Sequence, residues 1–155
     1  MGRESSALRW GQGADSAARN GAWAECIGAW RAGALSGNAL KQRIESSPEP
    51  ARAAVAWLLE CEEPARFDIA WASELCERSS DLVAASLLVS EFGADPLWAQ
   101  QLGLRLAPTA SCEDVQFWMA LQDIKDWLVI RRRADARRAA LVAHRQEAVY
   151  VARNH

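Results

Sequence analysis

One long helix is predicted by residues 111–133, which read SCEDVQFWMALQDIKDWLVIRRR. Ser111 opens it in the manner of a capping box, and acidic residues follow in the first turn, where they suit the helix dipole. Apolar side chains then recur every three or four residues and form one stripe. Its members are Phe117, Leu121, Ile124 and Leu128, with Trp118 at the edge. Because no Pro or Gly follows Pro108, we expect the helix to run unbroken to about residue 152.

Such a helix is longer than the body that has to hold it. From residue 112 to residue 152 it would measure about 60 Å, whereas a compact domain of this size is about 35–40 Å across. The stripe also stops, because Arg131, Arg132 and Asp135 occupy the positions that would continue it. We therefore expect the helix to be docked as far as about Ile130 and to leave the body near Arg131–Arg133.

The charge distribution divides the chain at the same place. Residues 1–124 contain 10 Lys and Arg against 17 Asp and Glu, whereas residues 125–155 contain 8 against 3. The formal net charge of −2 therefore combines an acidic body with a basic tail. The predicted organisation is a loose N-terminal arm over 1–19, a helical body over 20–130 and a basic helical extension over 131–155.

The sequence before the long helix predicts six shorter helices with short connections. Alternating apolar and polar residues, which a strand would require, do not persist anywhere. Asn20, Ser36 or Asn38, Ser47-Pro48, the run Ser79–Asp81 and Asp95-Pro96 are typical helix starts. The expected helices are 20–32, 37–45, 49–62, 66–78, 81–92 and 96–107.

We predict an all-α fold, a compact irregular bundle of about six to eight helices with the long basic C-terminal helix. The helices come in pairs at a spacing of about 30 residues, so a short α-solenoid of helix pairs is the alternative. Segments 51–61 and 82–92 are apolar on nearly every side, which predicts burial on every side. A short solenoid leaves one side of most helices exposed, and the bundle is therefore favoured.

No motif predicts catalysis or metal binding. The four cysteines form no C-x-x-C pair, there are only two histidines, and neither a nucleophile elbow nor a phosphate-binding loop occurs. We expect no enzyme activity, no cofactor and no metal. Free thiols, the lack of a signal-peptide pattern and the shortness of the longest apolar run, 82–89, predict a cytoplasmic protein without a membrane span.

The eight tryptophans and the C-terminal helix carry the functional hypotheses. Most of the Trp side chains are expected to pack between helices, and one or two exposed ones to contact a partner. The tail would fold back on the acidic body, bind another protein or a second copy, contact nucleic acid phosphates through its arginines, or associate with an anionic membrane surface.

The leading hypothesis is a non-catalytic protein–protein interaction module, such as an adaptor, a chaperone or a complex subunit. A nucleic-acid-binding regulator that uses the arginine-rich helix is the alternative. The predicted partner-binding residues are Arg131, Arg132, Arg133, Arg137, Arg138, Leu141, Val142, Arg145 and Val149.

Overall fold

The computed structural model describes the backbone of residues 14–154 and the side chains of residues 23–154. Over these residues the chain forms seven α-helices and no strand, which confirms the all-α class and the predicted number of helices. The helices are α1 (Ala14–Arg31), α2 (Gly37–Glu45), α3 (Pro50–Glu60), α4 (Arg66–Arg78), α5 (Leu82–Phe92), α6 (Pro96–Leu106) and α7 (Val115–Asn154). A short 3₁₀ turn, Ala107–Thr109, follows α6.

Three of the predicted caps form as expected. The side-chain oxygens of Ser36, Asp81 and Asp95 accept hydrogen bonds of 3.0–3.1 Å from backbone N–H groups in the first turns of α2, α5 and α6. Each bond satisfies a donor that the helix itself leaves without a partner. Gly93 ends α5 in the left-handed conformation, with φ at 68°, where a side chain would be strained.

Three predicted helix starts are wrong. Helix α1 begins at Ala14, because the alanine-rich residues before Asn20 favour helix more than Asn20 favours a cap. The predicted arm therefore overlaps α1, and residues 1–13 lie outside the described part of the chain.

The other two starts are displaced by local hydrogen bonds. Helix α3 begins at Pro50, because the Ser47 hydroxyl donates to the carbonyl of Ile44 at 2.6 Å and so completes the end of α2. Helix α7 is capped by Asp114, whose Oδ1 accepts from the backbone N–H of Phe117 at 3.1 Å. Ser111 only supports the turn before it.

The helices pack in chain order. Every substantial contact joins helices that are one or two apart along the chain, with α1 against α3, α3 against α5, and α5 against α7. This neighbour-to-neighbour order is typical of stacked helix pairs, which the alternative fold prediction anticipated. Within the bundle, residues 51–59 and 82–89 include no exposed side chain, as expected for α3 and α5.

Helix α7 docks against α5 and α6. Its buried side chains confirm the predicted stripe and add one alanine to it. They are Phe117, Ala120, Leu121, Ile124 and Leu128. Gly103 of α6 allows the close approach, because a Cβ atom placed there would lie 2.6 Å from Cδ1 of the buried Leu121.

Aromatic rings connect the first four helices. The indole of Trp57 is buried between those of Trp30 and Trp71, in edge-to-face contacts with ring centroids 5.6 and 5.9 Å away. Offset and edge-to-face geometries of this kind are the favoured ones for aromatic pairs. The indole N–H of Trp57 has no hydrogen-bond acceptor among the described residues. Trp71 Nε1 donates to Glu45 at 2.7 Å.

Lys41 supplies the charge at the centre of this cluster. Its ammonium pairs with the carboxylate of Asp68, and their side chains are only 21% and 14% exposed. It also lies 4.8, 5.2 and 5.8 Å from the ring centroids of Phe67, Trp71 and Trp57. Attraction between a cation and aromatic rings adds to the ion pair at such distances. Lys41 therefore ties α2 to α3 and α4.

The four cysteines are all free thiols, as expected. Cys76 is fully buried, and burial raises the pKa of its thiol well above the ordinary value. Cys61 is half-buried, and its pKa is raised first by burial and then by the charge of Asp68. Cys112 is exposed, in the turn before α7.

We expect the same substitution to have opposite effects at two helical glycines. Gly28→Ala should stabilise the protein by about 0.5–1 kcal/mol, because open space surrounds that position and Ala favours helix. Gly103→Ala should destabilise it by about 1–2 kcal/mol, because the overpacking against Leu121 outweighs the same helical gain. Chemical denaturation measures both values. A stabilising Gly103→Ala would contradict the described packing of α6 on α7.

We also expect Lys41→Met to lower the free energy of unfolding by about 2 kcal/mol, because it leaves the largely buried Asp68 carboxylate without its partner. Lys125→Met is the matched control, since Lys125 is exposed on α7, and its effect should stay within about 0.5 kcal/mol. Urea denaturation of both variants gives the comparison. Equal effects would show that the cluster around Lys41 contributes nothing specific.

Candidate interaction surface

Helix α7 loses its contact with the body within one turn of Ile130. Leu128 is 6% exposed, whereas Val129 and Ile130 are 45% and 53% exposed. The Arg131 guanidinium then pairs with the carboxylate of Asp95 at 3.1 Å, and this carboxylate is also the cap of α6. Every side chain from residue 135 to residue 154 is exposed.

We call residues 131–154 the distal segment. It continues α7 for about 36 Å at the rise of an α-helix. Since α7 is one unbroken helix, the segment does not fold back on the acidic body, which was one of the four interpretations of the tail. It contains seven arginines and two acidic residues.

All nine predicted partner-binding residues lie in the distal segment and are exposed. Helical spacing places five of them on the face that continues the buried stripe. These are Arg131, Arg138, Val142, Arg145 and Val149. Arg132 lies beside that face and Leu141 lies further around the helix, whereas Arg133 and Arg137 lie on the opposite side.

Ion pairs hold few of these arginines. Among the described residues, Arg131 pairs with Asp95, and Arg138 approaches Asp135 at 3.8 Å on the same helix. Exposed pairs of this kind contribute roughly 0–1 kcal/mol. No ion pair joins Arg133, Arg137 or Arg145 to another residue between 23 and 154. Ion pairs with residues 23–154 therefore leave the positive charge of the segment largely uncompensated.

The distal segment also leaves large apolar side chains in solvent. Five of them are between 47% and 68% exposed: Leu141, Val142, Val149, Tyr150 and Val151. Full burial of a side chain of this size is worth about 1.5–3 kcal/mol. A protein partner that covered several of them would gain a substantial binding free energy.

A second exposed surface lies on the side of α7 that faces away from the body. We call it the outer stripe, and its members follow one another at intervals of three or four residues on either side of the adjacent pair Val129 and Ile130. They are Val115, Met119, Gln122, Asp126, Val129, Ile130, Arg133, Arg137, Ala140 and His144. Val115 and Met119 are 64% and 53% exposed. Gln122 donates a hydrogen bond of 3.0 Å to Asp126 along the stripe.

Of the ten members of this stripe, only Arg133 and Arg137 were predicted as contact residues. The predicted apolar stripe describes only the face of the helix that docks on the body. The sequence does contain a signal for the outer stripe, because Val115, Met119 and Val129 lie at helical spacing outside the predicted buried stripe. Large apolar residues on the solvent face of an otherwise docked helix are typical of an interface.

The tryptophans mainly pack within the body, as expected. Trp118 and Trp127 are the most exposed of those whose side chains are described, at 38% and 39%. Trp118 Nε1 donates to the Ser111 carbonyl at 2.9 Å, which holds the indole against the turn before α7. Trp127 lies one helical turn before Arg131, beside the start of the distal segment. Trp10 falls outside the described residues.

An open cleft of 230 Å³ lies between the start of α3, the α4–α5 turn and the start of α7. Its polar side chains take part in helix capping and ion pairing. Asp81 caps α5 and accepts from Arg52 Nε at 3.1 Å, and Asp114 caps α7. Both carboxylates therefore have structural roles in helix capping, and Asp81 also forms an ion pair.

Two further findings bear on possible ligands. No group of three or more His, Cys, Asp or Glu side chains that could hold a metal ion occurs among the described residues. No helix between residues 14 and 154 combines the length and the apolarity that crossing a membrane requires.

Comparisons with protein-family models, with curated proteins and with solved structures gave no significant match. The distal segment and the outer stripe are therefore interpreted from their own chemistry.

Proposed function

We propose that this chain is a non-catalytic protein–protein interaction module, an adaptor, a chaperone or a complex subunit, whose body presents the distal segment to a partner protein. The observation that carries the proposal is a run of twenty consecutive exposed helical residues, 135–154, with five large apolar side chains among them. A helix without tertiary contacts gains little stability from propensity alone. Burial of its apolar side chains by a partner would supply the stabilisation that contact with the body does not provide.

The charge of the segment indicates the kind of partner. Seven arginines against two acidic residues favour a surface that carries carboxylates. Arg side chains bind carboxylates through two parallel hydrogen bonds, which gives orientation as well as attraction. The exposed Trp127, next to the segment, adds a large amphipathic contact of the kind that is enriched in interfaces.

We expect deletion of residues 134–155 to leave the body folded and to abolish retention of the partner protein. The buried core ends at Leu128, so the unfolding midpoint of the shortened protein in urea should match that of the full chain. Affinity capture with both proteins, followed by mass spectrometry, identifies what only the full chain retains. Unfolding of the shortened protein would show that the distal segment belongs to the core, contrary to the proposal.

A matched pair of leucines sharpens this experiment. Leu141 on the distal segment and Leu104 on α6 are 58% and 56% exposed, so their truncation to Ala removes equal surface. Leu141→Ala should weaken retention of the partner, and Leu104→Ala should not. Equal losses would locate the binding surface elsewhere.

Binding of nucleic acid is the second candidate, because six arginines fall within residues 131–145 and five of them are pairs or triples in sequence. Phosphate contacts by arginines release counterions, so affinity for DNA or RNA should fall steeply with salt. Replacement of Arg131, Arg132 and Arg133 by Ala should then weaken binding to any nucleic acid sequence by a similar factor. Fluorescence anisotropy with labelled oligonucleotides measures this. The absence of binding at low salt would eliminate this candidate and leave the protein partner.

A further inference from the structure

We infer that a second copy of this chain covers the outer stripe, through antiparallel pairing of the two α7 helices. The inference rests on the proposed function, because it names one partner for the exposed surface of α7. It begins from the distribution of charge along this helix. Residues 113–126 hold four acidic residues and one lysine, whereas residues 131–145 hold six arginines and one aspartate. An antiparallel pair brings the acidic half of each helix against the basic half of the other.

The outer stripe has a spacing that suits this arrangement. Counted outward from Val129 in one direction and from Ile130 in the other, its members follow at the same intervals of three and four residues. The stripe is therefore complementary to itself when one helix is reversed, which a two-fold symmetric interface requires. With Val129 of one copy opposite Ile130 of the other, the facing residues are Asp126 and Arg133, Gln122 and Arg137, Met119 and Ala140, and Val115 and His144.

Each of these contacts is chemically favourable or neutral. Asp126 meets the guanidinium of Arg133, and Gln122 offers a carbonyl to Arg137. The large Met119 lies against the small Ala140, which allows the helices to interdigitate. Two copies together place eight large apolar side chains in the contact, namely Val115, Met119, Val129 and Ile130 from each.

The body leaves this surface accessible along its whole length. The outer-stripe residues between 115 and 130 are all exposed, because the body lies on the opposite face of α7. Among the described ion pairs, only that of Arg131 with Asp95 joins the distal segment to the body, and Arg131 lies off the outer stripe. Arg133, Arg137, Ala140 and His144 are exposed as well. The two helices would overlap over residues 115–144, about 45 Å.

The parallel arrangement is disfavoured by the same charges. In a parallel pair in register, Arg133 and Arg137 of one copy would face Arg133 and Arg137 of the other, and like charges at this distance repel. Pairing of the distal segment with its own acidic half is prevented because α7 contains no turn. A second copy in the reversed orientation avoids the repulsion between like charges and needs no turn within α7.

Sedimentation equilibrium over a dilution series tests the dimer. The wild-type protein should reach twice the 17.0 kDa mass of one chain and dissociate on dilution. Asp126→Arg and Arg133→Asp should each weaken dimerisation by about tenfold or more at low salt, since each places like charges opposite one another. The double variant that carries both substitutions should recover most of the affinity, because the pair is restored with its charges exchanged.

Two exposed residues away from the outer stripe provide matched controls. Asp135→Arg and Arg153→Asp change the charge of α7 by the same amounts, but Asp135 lies on another face of the helix and Arg153 lies beyond the overlap over 115–144. They should alter dimerisation by less than about threefold. Equal weakening by the control variants, or no recovery in the double variant, would overturn the proposed register.

Disulfide cross-linking tests the orientation separately. On a Cys112→Ser background, which removes the exposed thiol, one copy carries Met119→Cys and the other Ala140→Cys. Mild oxidation should link unlike copies in the mixture, and neither variant alone should cross-link efficiently. Efficient linking of like copies would show a parallel pair and overturn the inference.

The outcomes separate this inference from the proposed function. A wild-type protein that stays at 17.0 kDa at every concentration overturns the dimer. If that monomer still retains a different protein through residues 134–155, the interaction module stands with another partner. If deletion of those residues changes neither mass nor retention, both proposals fail.

Discussion

The structure depends on the burial of one apolar stripe that covers only the first part of a 40-residue helix. Phe117, Leu121, Ile124 and Leu128 fix α7 against α5 and α6, and Gly103 lets α6 approach closely enough to contact Leu121. The helix has no reason to end where the stripe ends, because no Pro or Gly follows and the later residues are good helix formers. The body therefore holds a helix that continues well past its own surface.

The order of the helix contacts explains why one side of α7 has no neighbouring helix. Each helix packs against helices one or two places away in the chain, so each added helix extends the stack and leaves its own far side uncovered. Helices α3 and α5 have neighbours on both sides and are buried accordingly. Helix α7 packs against α5 and α6 on one side, and its far side carries Val115 and Met119 in solvent. These apolar residues are exposed because no other described helix packs against that side.

Sequence reasoning recovered the features that depend on local patterns. Side chains at Ser36, Asp81 and Asp95 accept backbone hydrogen bonds two or three residues ahead, so their role follows from adjacent residues alone. The stripe on α7 was predictable because helical spacing and charge agreed over about three turns. The start of α3 was not predictable in this way, because the Ser47 side chain could either cap α3 or bond to the end of α2. In the structure it donates to the Ile44 carbonyl at the end of α2.

The candidate site was predictable in part and for a similar reason. The end of the apolar stripe indicated where the tail leaves the core, and all nine predicted contact residues are exposed there. Which of them share a face also follows from helical spacing. The outer stripe was missed because exposure of Val115 and Met119 depends on which helices surround α7, and only the tertiary arrangement gives that. Propensity and periodicity describe a helix, and they do not say how many of its sides have neighbours.

The unbroken course of α7 fixes rotational phase as well as distance. Each residue turns an α-helix by about 100°, so the faces of Leu141 and Arg145 are set relative to Leu128 by a residue count alone. A single inserted residue between them would swing every later side chain by more than a quarter turn while lengthening the helix by only about 1.5 Å. Seven inserted residues would restore the original direction almost completely. The body therefore sets the direction of each side chain of the distal segment, over a distance of up to about 36 Å.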